Sequence, residues 1–195
     1  MKFYESGDSS KPVIFLFPGT CCLYSSFDHI LDGLHSYFYT VTVSYDGFDP
    51  NEKTEFYSME DECEKIEQEI KKKYDGRIKA AYGCSLGGSF VSLLIQRRRI
   101  HIDHGIIGSS DMDEAGHLVA KIKSSMVVPF MYKMIHTGAL PKFMQKKLNK
   151  TDGAKKELYN GFLNMFGIGK GGNPWITKQS IYNQFYSDLV TKVQH

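Results

Sequence analysis

Short apolar runs closed by glycine alternate with segments of helical period along the first half of the chain. Val13-Ile14-Phe15-Leu16-Phe17 is continuous and stops at Pro18-Gly19, and the β-branched and aromatic run from Tyr39 to Tyr45 stops at Asp46-Gly47. Ile78 to Tyr82 stops at Gly83, and Ile102 to Ile107 stops at Gly108. Runs this short and this apolar predict strands buried on both faces. Between them Met59, Cys63, Ile66, Ile70 and Tyr74 recur at spacings of three and four, which predicts a helix over 58–74. Ser58 can cap it, Glu60, Asp61 and Glu62 fill its first turn, and Lys71, Lys72 and Lys73 its last, the order a helix dipole favours. The lysine run therefore reads as a solvated helix end. Arg97-Arg98-Arg99, closing a second apolar helix over 86–96, reads the same way. Strands alternating with helices imply an α/β fold, a mostly parallel sheet with flanking helices.

After Asp111 the pattern becomes helical throughout, rich in Met and aromatic residues and broken at Pro129, Gly138, Pro141, Gly153 and the stretch 167–174. This predicts a core over 1–111 and a helical cap over 112–195, laid across one edge of the sheet as an insertion. An apolar, aromatic inner face on such a cap suits an apolar acyl or aryl substrate.

Composition narrows the classes. In 195 residues, 42% hydrophobic and 24% charged, the chain is neither disordered nor fibrous. A net charge of +2 is too small to predict a nucleic-acid or anionic-membrane partner. No run of about 18 apolar residues predicts a membrane span, and the first residues carry no apolar stretch of the signal-peptide kind, so the expected location is cytoplasmic. Cys21, Cys22, Cys63 and Cys84 then read as reduced thiols, and their spacing predicts no metal site.

The sharpest chemical signal is Gly83-Cys84-Ser85-Leu86-Gly87-Gly88, a G-x-S-x-G with a strand before it and an apolar helix after it. In so tight a turn, side chains two residues either side of the serine would collide, which explains the glycines; the hydroxyl then stands above the sheet at a helix N-terminus. Phe17-Pro18-Gly19-Thr20-Cys21-Cys22 ends a separate strand at the same edge, where α/β sheets place ligands. Its backbone N–H groups, Thr20 before Cys21, are the candidates to meet a carbonyl oxygen together with Leu86 N–H. By contrast, Gly167-Ile168-Gly169-Lys170-Gly171-Gly172 matches the dinucleotide pattern G-x-G-x-x-G, but it follows a helical run and leads into Asn173-Pro174; it reads as a cap loop. No cofactor is expected.

These motifs, with the order of elements from about Lys11 to Asp111, resemble the α/β-hydrolase superfamily. The resemblance implies a serine hydrolase in which Ser85 forms an acyl-enzyme from a small ester, thioester or amide, with Thr20 and Leu86 as the oxyanion hole. It also implies a triad in the order Ser, Asp or Glu, His, and chains of about 250 residues. Here no strand pattern follows the cap, so the expected fold is C-terminally shortened.

The triad partners are therefore open. Asp111 ends a strand on the right edge. His117 and His136 lie in the cap. His101 and His104 sit near the start of the last strand, on the wrong edge of the sheet; at about 3.3 Å per residue His101 stands roughly 25 Å from the catalytic end. His29 and His35 precede the serine on a flanking helix, His195 is terminal, and Asp46 reads as a turn former. Without a histidine on Ser85 the alternative is a catalytically incomplete member with a binding or assembly role. Missing strands would also expose a sheet edge, predicting a homodimer.

Overall fold

The computed structural model describes residues 1–110, 114–168 and 171–192. Five strands, β1 (Lys2–Ser6), β2 (Val13–Phe17), β3 (Tyr39–Ser44), β4 (Arg77–Cys84) and β5 (His101–Gly108), form one sheet in the order β1-β3-β2-β4-β5. β3, β2, β4 and β5 run parallel; β1 is antiparallel to β3. The helices are α1 (Asp28–His35), α2 (Met59–Tyr74), α3 (Leu86–Arg97), α4 (His117–Thr137), α5 (Lys142–Asn149), α6 (Gly153–Met165) and α7 (Lys178–Val190).

The unbroken apolar run of β2 serves two cores. Phe15 and Phe17 pack with residues of α2 and α3, while Ile14 and Leu16 pack with Ile30, Leu31 and Leu34 of α1. That double burial is why β2 shows no polar alternation. The α2 reading holds: Ser58 Oγ accepts the Asp61 N–H at 3.1 Å, and Asp75 in the left-handed region ends the helix.

One strand goes beyond the sequence reading, and two expectations are corrected. β1 was not legible, because Lys2-Phe3-Tyr4-Glu5-Ser6 is short, half polar and sits at a sheet edge, where only Phe3 reaches an aromatic core residue, Phe15. β5 is not buried on both faces: Ile106 and Ile107, on opposite faces, are 47% and 43% exposed, because β5 pairs with β4 alone among the described residues. Pro129 does not break a helix but lies inside α4. A proline there forfeits one backbone bond, and the burial of Ala120, Ser124, Val128, Met134 and Ile135 along the helix offsets it.

The helices after residue 111 share the core. Val128, Ile135, Phe166, Ile168, Ile176 and Ile181 belong to the same buried cluster as Phe17, Tyr45 and Phe90. No helix of the described residues is long and apolar enough to cross a membrane.

One buried acid gives a prediction. Glu62, sealed inside α2, accepts the Asp46 N–H at 3.0 Å and the Lys65 ammonium at 2.8 Å. Burial, and then repulsion from Asp46, pushes its carboxyl up to about 7 from 4.5, with Lys65 only partly offsetting them. The folded state thus keeps a proton that the unfolded chain releases, and stability falls as pH rises from 4.5 to about 7. Asp46 has the opposite sign: burial is outweighed by the bonds from Lys65 and the Met1 amine, so its carboxyl is held low and acts below pH 3.8. In Glu62→Gln the decline between pH 5 and 7.5 should flatten by on the order of 2 kcal/mol, read from urea midpoints at each pH.

Candidate active site

β4 carries Gly83 and Cys84 to the carboxyl edge of the sheet, and α3 starts immediately after Ser85. Ser85 has φ 53° and ψ −122°, a conformation that L-residues rarely adopt and that the surroundings must impose. Its N–H donates to Gly108 O of β5 at 2.8 Å, and its C=O accepts the Gly88 N–H at 2.7 Å. The glycines permit the turn. A Cβ on Gly83 would collide with the backbone of Gly87 and Gly88, and one on Gly87 with the backbone of Phe17 and Pro18.

The loop after β2 folds onto this turn. Gly19 faces Ser85 so closely that a Cβ there would lie 3.5 Å from Ser85 Cβ and 3.2 Å from Cys84 O. Cys22 N–H closes the loop on Gly19 O at 3.0 Å, and the Tyr45 hydroxyl donates to Pro18 O at 3.1 Å. Cys21, at φ 60°, donates its N–H to Gln184 Oε1 of α7 at 2.8 Å, so that donor is occupied. Thr20 N–H finds no acceptor among the described residues. Leu86, the first residue of α3, has no intrahelical acceptor for its N–H, and the helix dipole adds partial positive charge there. Burial, with the neighbouring Cys84 adding to it, pushes Cys22 up to about 12, and burial raises Cys21 well above the usual thiol range, so both favour the protonated thiol.

The histidines are dispersed. His101 stands at the far end of β5, paired in register with Arg77 and 3.1 Å from Asp103; His104 follows it on the same strand. His35 Nε2 bonds Ser6 Oγ at 2.9 Å and ties α1 to β1, while His29 is exposed on α1. His117 begins α4 with Nδ1 2.8 Å from the Tyr186 hydroxyl, and His136 packs on the Tyr132 ring. No described imidazole hydrogen-bonds Ser85 Oγ. Asp111 and His195 lie outside the described residues, as do residues 169 and 170 of the glycine-rich cap loop.

Two residues at this edge were not found from the sequence. Tyr45 directly follows β3 at the right edge, and that position was its only signal. Gln184 had a fainter one, the polar Ser180, Gln184 and Ser187 recurring on the buried face of α7.

No family model matches the chain, and no curated protein matches it by sequence. Solved structures do match. An alpha/beta hydrolase family protein from Desulfitobacterium hafniense superposes with a TM-score of 0.70 at 15% identity, over 97% of this chain and 72% of that one. The enol-lactonase from Burkholderia xenovorans gives 0.67 at 12% identity, over 98% and 71%. A thermophilic esterase from Thermogutta terrifontis gives 0.68 at 14%, over 96% and 66%. The chain therefore has the α/β-hydrolase fold. It spans 66–72% of these structures and is C-terminally shortened relative to them.

Proposed function

We propose that the chain is a serine hydrolase of small esters or thioesters acting through an acyl-Ser85 intermediate. The single observation that carries this is the backbone of Ser85, held at φ 53° and ψ −122° beside the unoccupied Thr20 and Leu86 N–H groups. Strain of this kind persists only where the surroundings enforce it. In this reading Ser85 Oγ attacks the substrate carbonyl carbon and the carbonyl electron pair moves to oxygen. The two N–H groups hold that oxyanion, the alcohol or thiol leaves, and water then releases the acid. The proton of Ser85 passes to a base that is not among the described histidines. Asp111, His195, a residue following 195 in a longer chain, or a group from a second copy paired along the β5 edge are the candidates for it.

The test is labelling by a fluorophosphonate probe. Wild type is expected to label, and Ser85→Ala to label at least 100-fold more slowly. Labelling that grows more than linearly with protein concentration assigns the base to a second copy. One observation favours a second reading, a binding protein that keeps the fold without catalysis: no described imidazole bonds Ser85 Oγ. A folded wild type that does not label selects it.

A further inference from the structure

We propose that Gln184 is a positioning residue, clamping the loop that carries Thr20 N–H to cap helix α7. The proposal rests on the reading of Ser85 and Thr20 above. Gln184 is fully buried, and its Oε1 accepts the Cys21 N–H at 2.8 Å across 163 residues of sequence. Of the two ends of the amide only the oxygen can accept an N–H, so Oε1 faces Cys21 and Nε2 is the other amide atom. The bonded N–H belongs to the peptide plane joining Thr20 to Cys21, and planarity means that fixing it fixes that whole unit. Cys21 sits at φ 60°, which a side chain disfavours, so the loop needs an anchor there. On the other side the Tyr45 hydroxyl holds Pro18 O at 3.1 Å. Thr20 N–H lies between these two anchors.

The rest of the Gln184 amide separates positioning from packing. Nε2 is buried with no acceptor among the described residues. The side chain thus supplies one good hydrogen bond and leaves its amino group without an acceptor, a poor arrangement if stability were its role. Gln184→Met removes the orphan on Nε2 and creates another on Cys21 N–H. The loss of the Cys21 hydrogen bond and the removal of the unpartnered amino group oppose each other, so stability changes little while the loop loses its anchor. This also explains why a cap helix reaches into the sheet edge at a polar position: α7 is the element that sets the shape of the loop.

The experiment compares wild type, Gln184→Met and Gln184→Glu by thermal midpoint, hydrogen exchange at the Cys21 amide and fluorophosphonate labelling. Gln184→Met should melt within about 3 °C of wild type. Its Cys21 amide should exchange at least tenfold faster, and labelling should slow by at least about tenfold. Gln184→Glu, which keeps an oxygen at that place, should retain slow exchange. A folded Gln184→Met with unchanged exchange overturns the proposal, whatever its labelling rate. If wild type does not label, the reading of Ser85 fails, yet exchange still decides the clamp. If Gln184→Met does not fold, wild-type exchange decides instead. A Cys21 amide as protected as those of β2 supports the clamp, and one as labile as an exposed loop overturns it.

Discussion

Gly83→Ala is expected to destabilise the chain by about 3 kcal/mol or more, lowering the thermal midpoint by roughly 6–12 °C. The added Cβ would land on the backbone of Gly87 and Gly88 in the first turn of α3. No side-chain rotation relieves a clash with backbone, so either β4 or α3 has to move. Because Ser85 lies between them, the shift also displaces its hydroxyl. Gly161→Ala is the control. Gly161 lies inside α6 with nothing within 4 Å of a built Cβ, so alanine should stabilise by about 0.5–1 kcal/mol through helix propensity. Urea denaturation of the two variants beside wild type checks both signs. A Gly83→Ala midpoint equal to wild type would show that the turn is looser than its geometry.

The second large effect lies at the other end of α3. Arg97 closes that helix with Nε 2.5 Å and Nη2 3.2 Å from the carboxylate of Glu67 on α2, and Glu67 is only 2% exposed. Arg97→Met leaves that carboxylate buried without its main partner, because Arg99 reaches it only at 3.5 Å. The expected cost is about 3–5 kcal/mol. The pair itself is worth far less than that, because both groups lose hydration when they are buried. Arg97→Met combined with Glu67→Met should therefore recover most of the loss, and the double-mutant cycle should show strong coupling. The solvent-facing Arg77–Asp103 pair, 2.8 Å apart, serves as a comparison: Arg77→Met should change stability by less than about 1 kcal/mol. Equal effects at the two sites would refute the argument from burial.

These two ends of α3 also explain how its position is held. The Arg97–Glu67 pair fixes α3 against α2, and the glycines fix its first residue against β4 and β2. The stacked rings of Phe90 and Tyr45, 4.8 Å apart, lie between, and the Tyr45 hydroxyl continues to Pro18. A chain of contacts thus runs from the core to the loop that faces Ser85.

What the sequence determined by itself was local or periodic. The unbroken apolar run gave β2, since burial on both faces removes polar alternation. A β-branched and aromatic composition gave β3, and a short run closed by Gly83 gave β4, whose Arg77 and Lys79 are nonetheless exposed. The three- and four-residue spacing with its caps gave α2, and the glycines about Ser85 gave the turn, because a steric requirement at fixed offsets leaves the same mark wherever it occurs. Only the tertiary structure decided the rest. β1 owes its strand to a free edge of β3, the exposure of β5 to the lack of a described neighbour, and the continuity of α4 through Pro129 to packing. The histidines could be ranked from the sequence by strand direction, but their separation from Ser85 is a fact of three dimensions. The same holds for Gln184, whose hydrogen bond to Cys21 joins residues 163 apart. Such a contact depends on the docking of α7 against the sheet edge, and no window of sequence contains both of its ends.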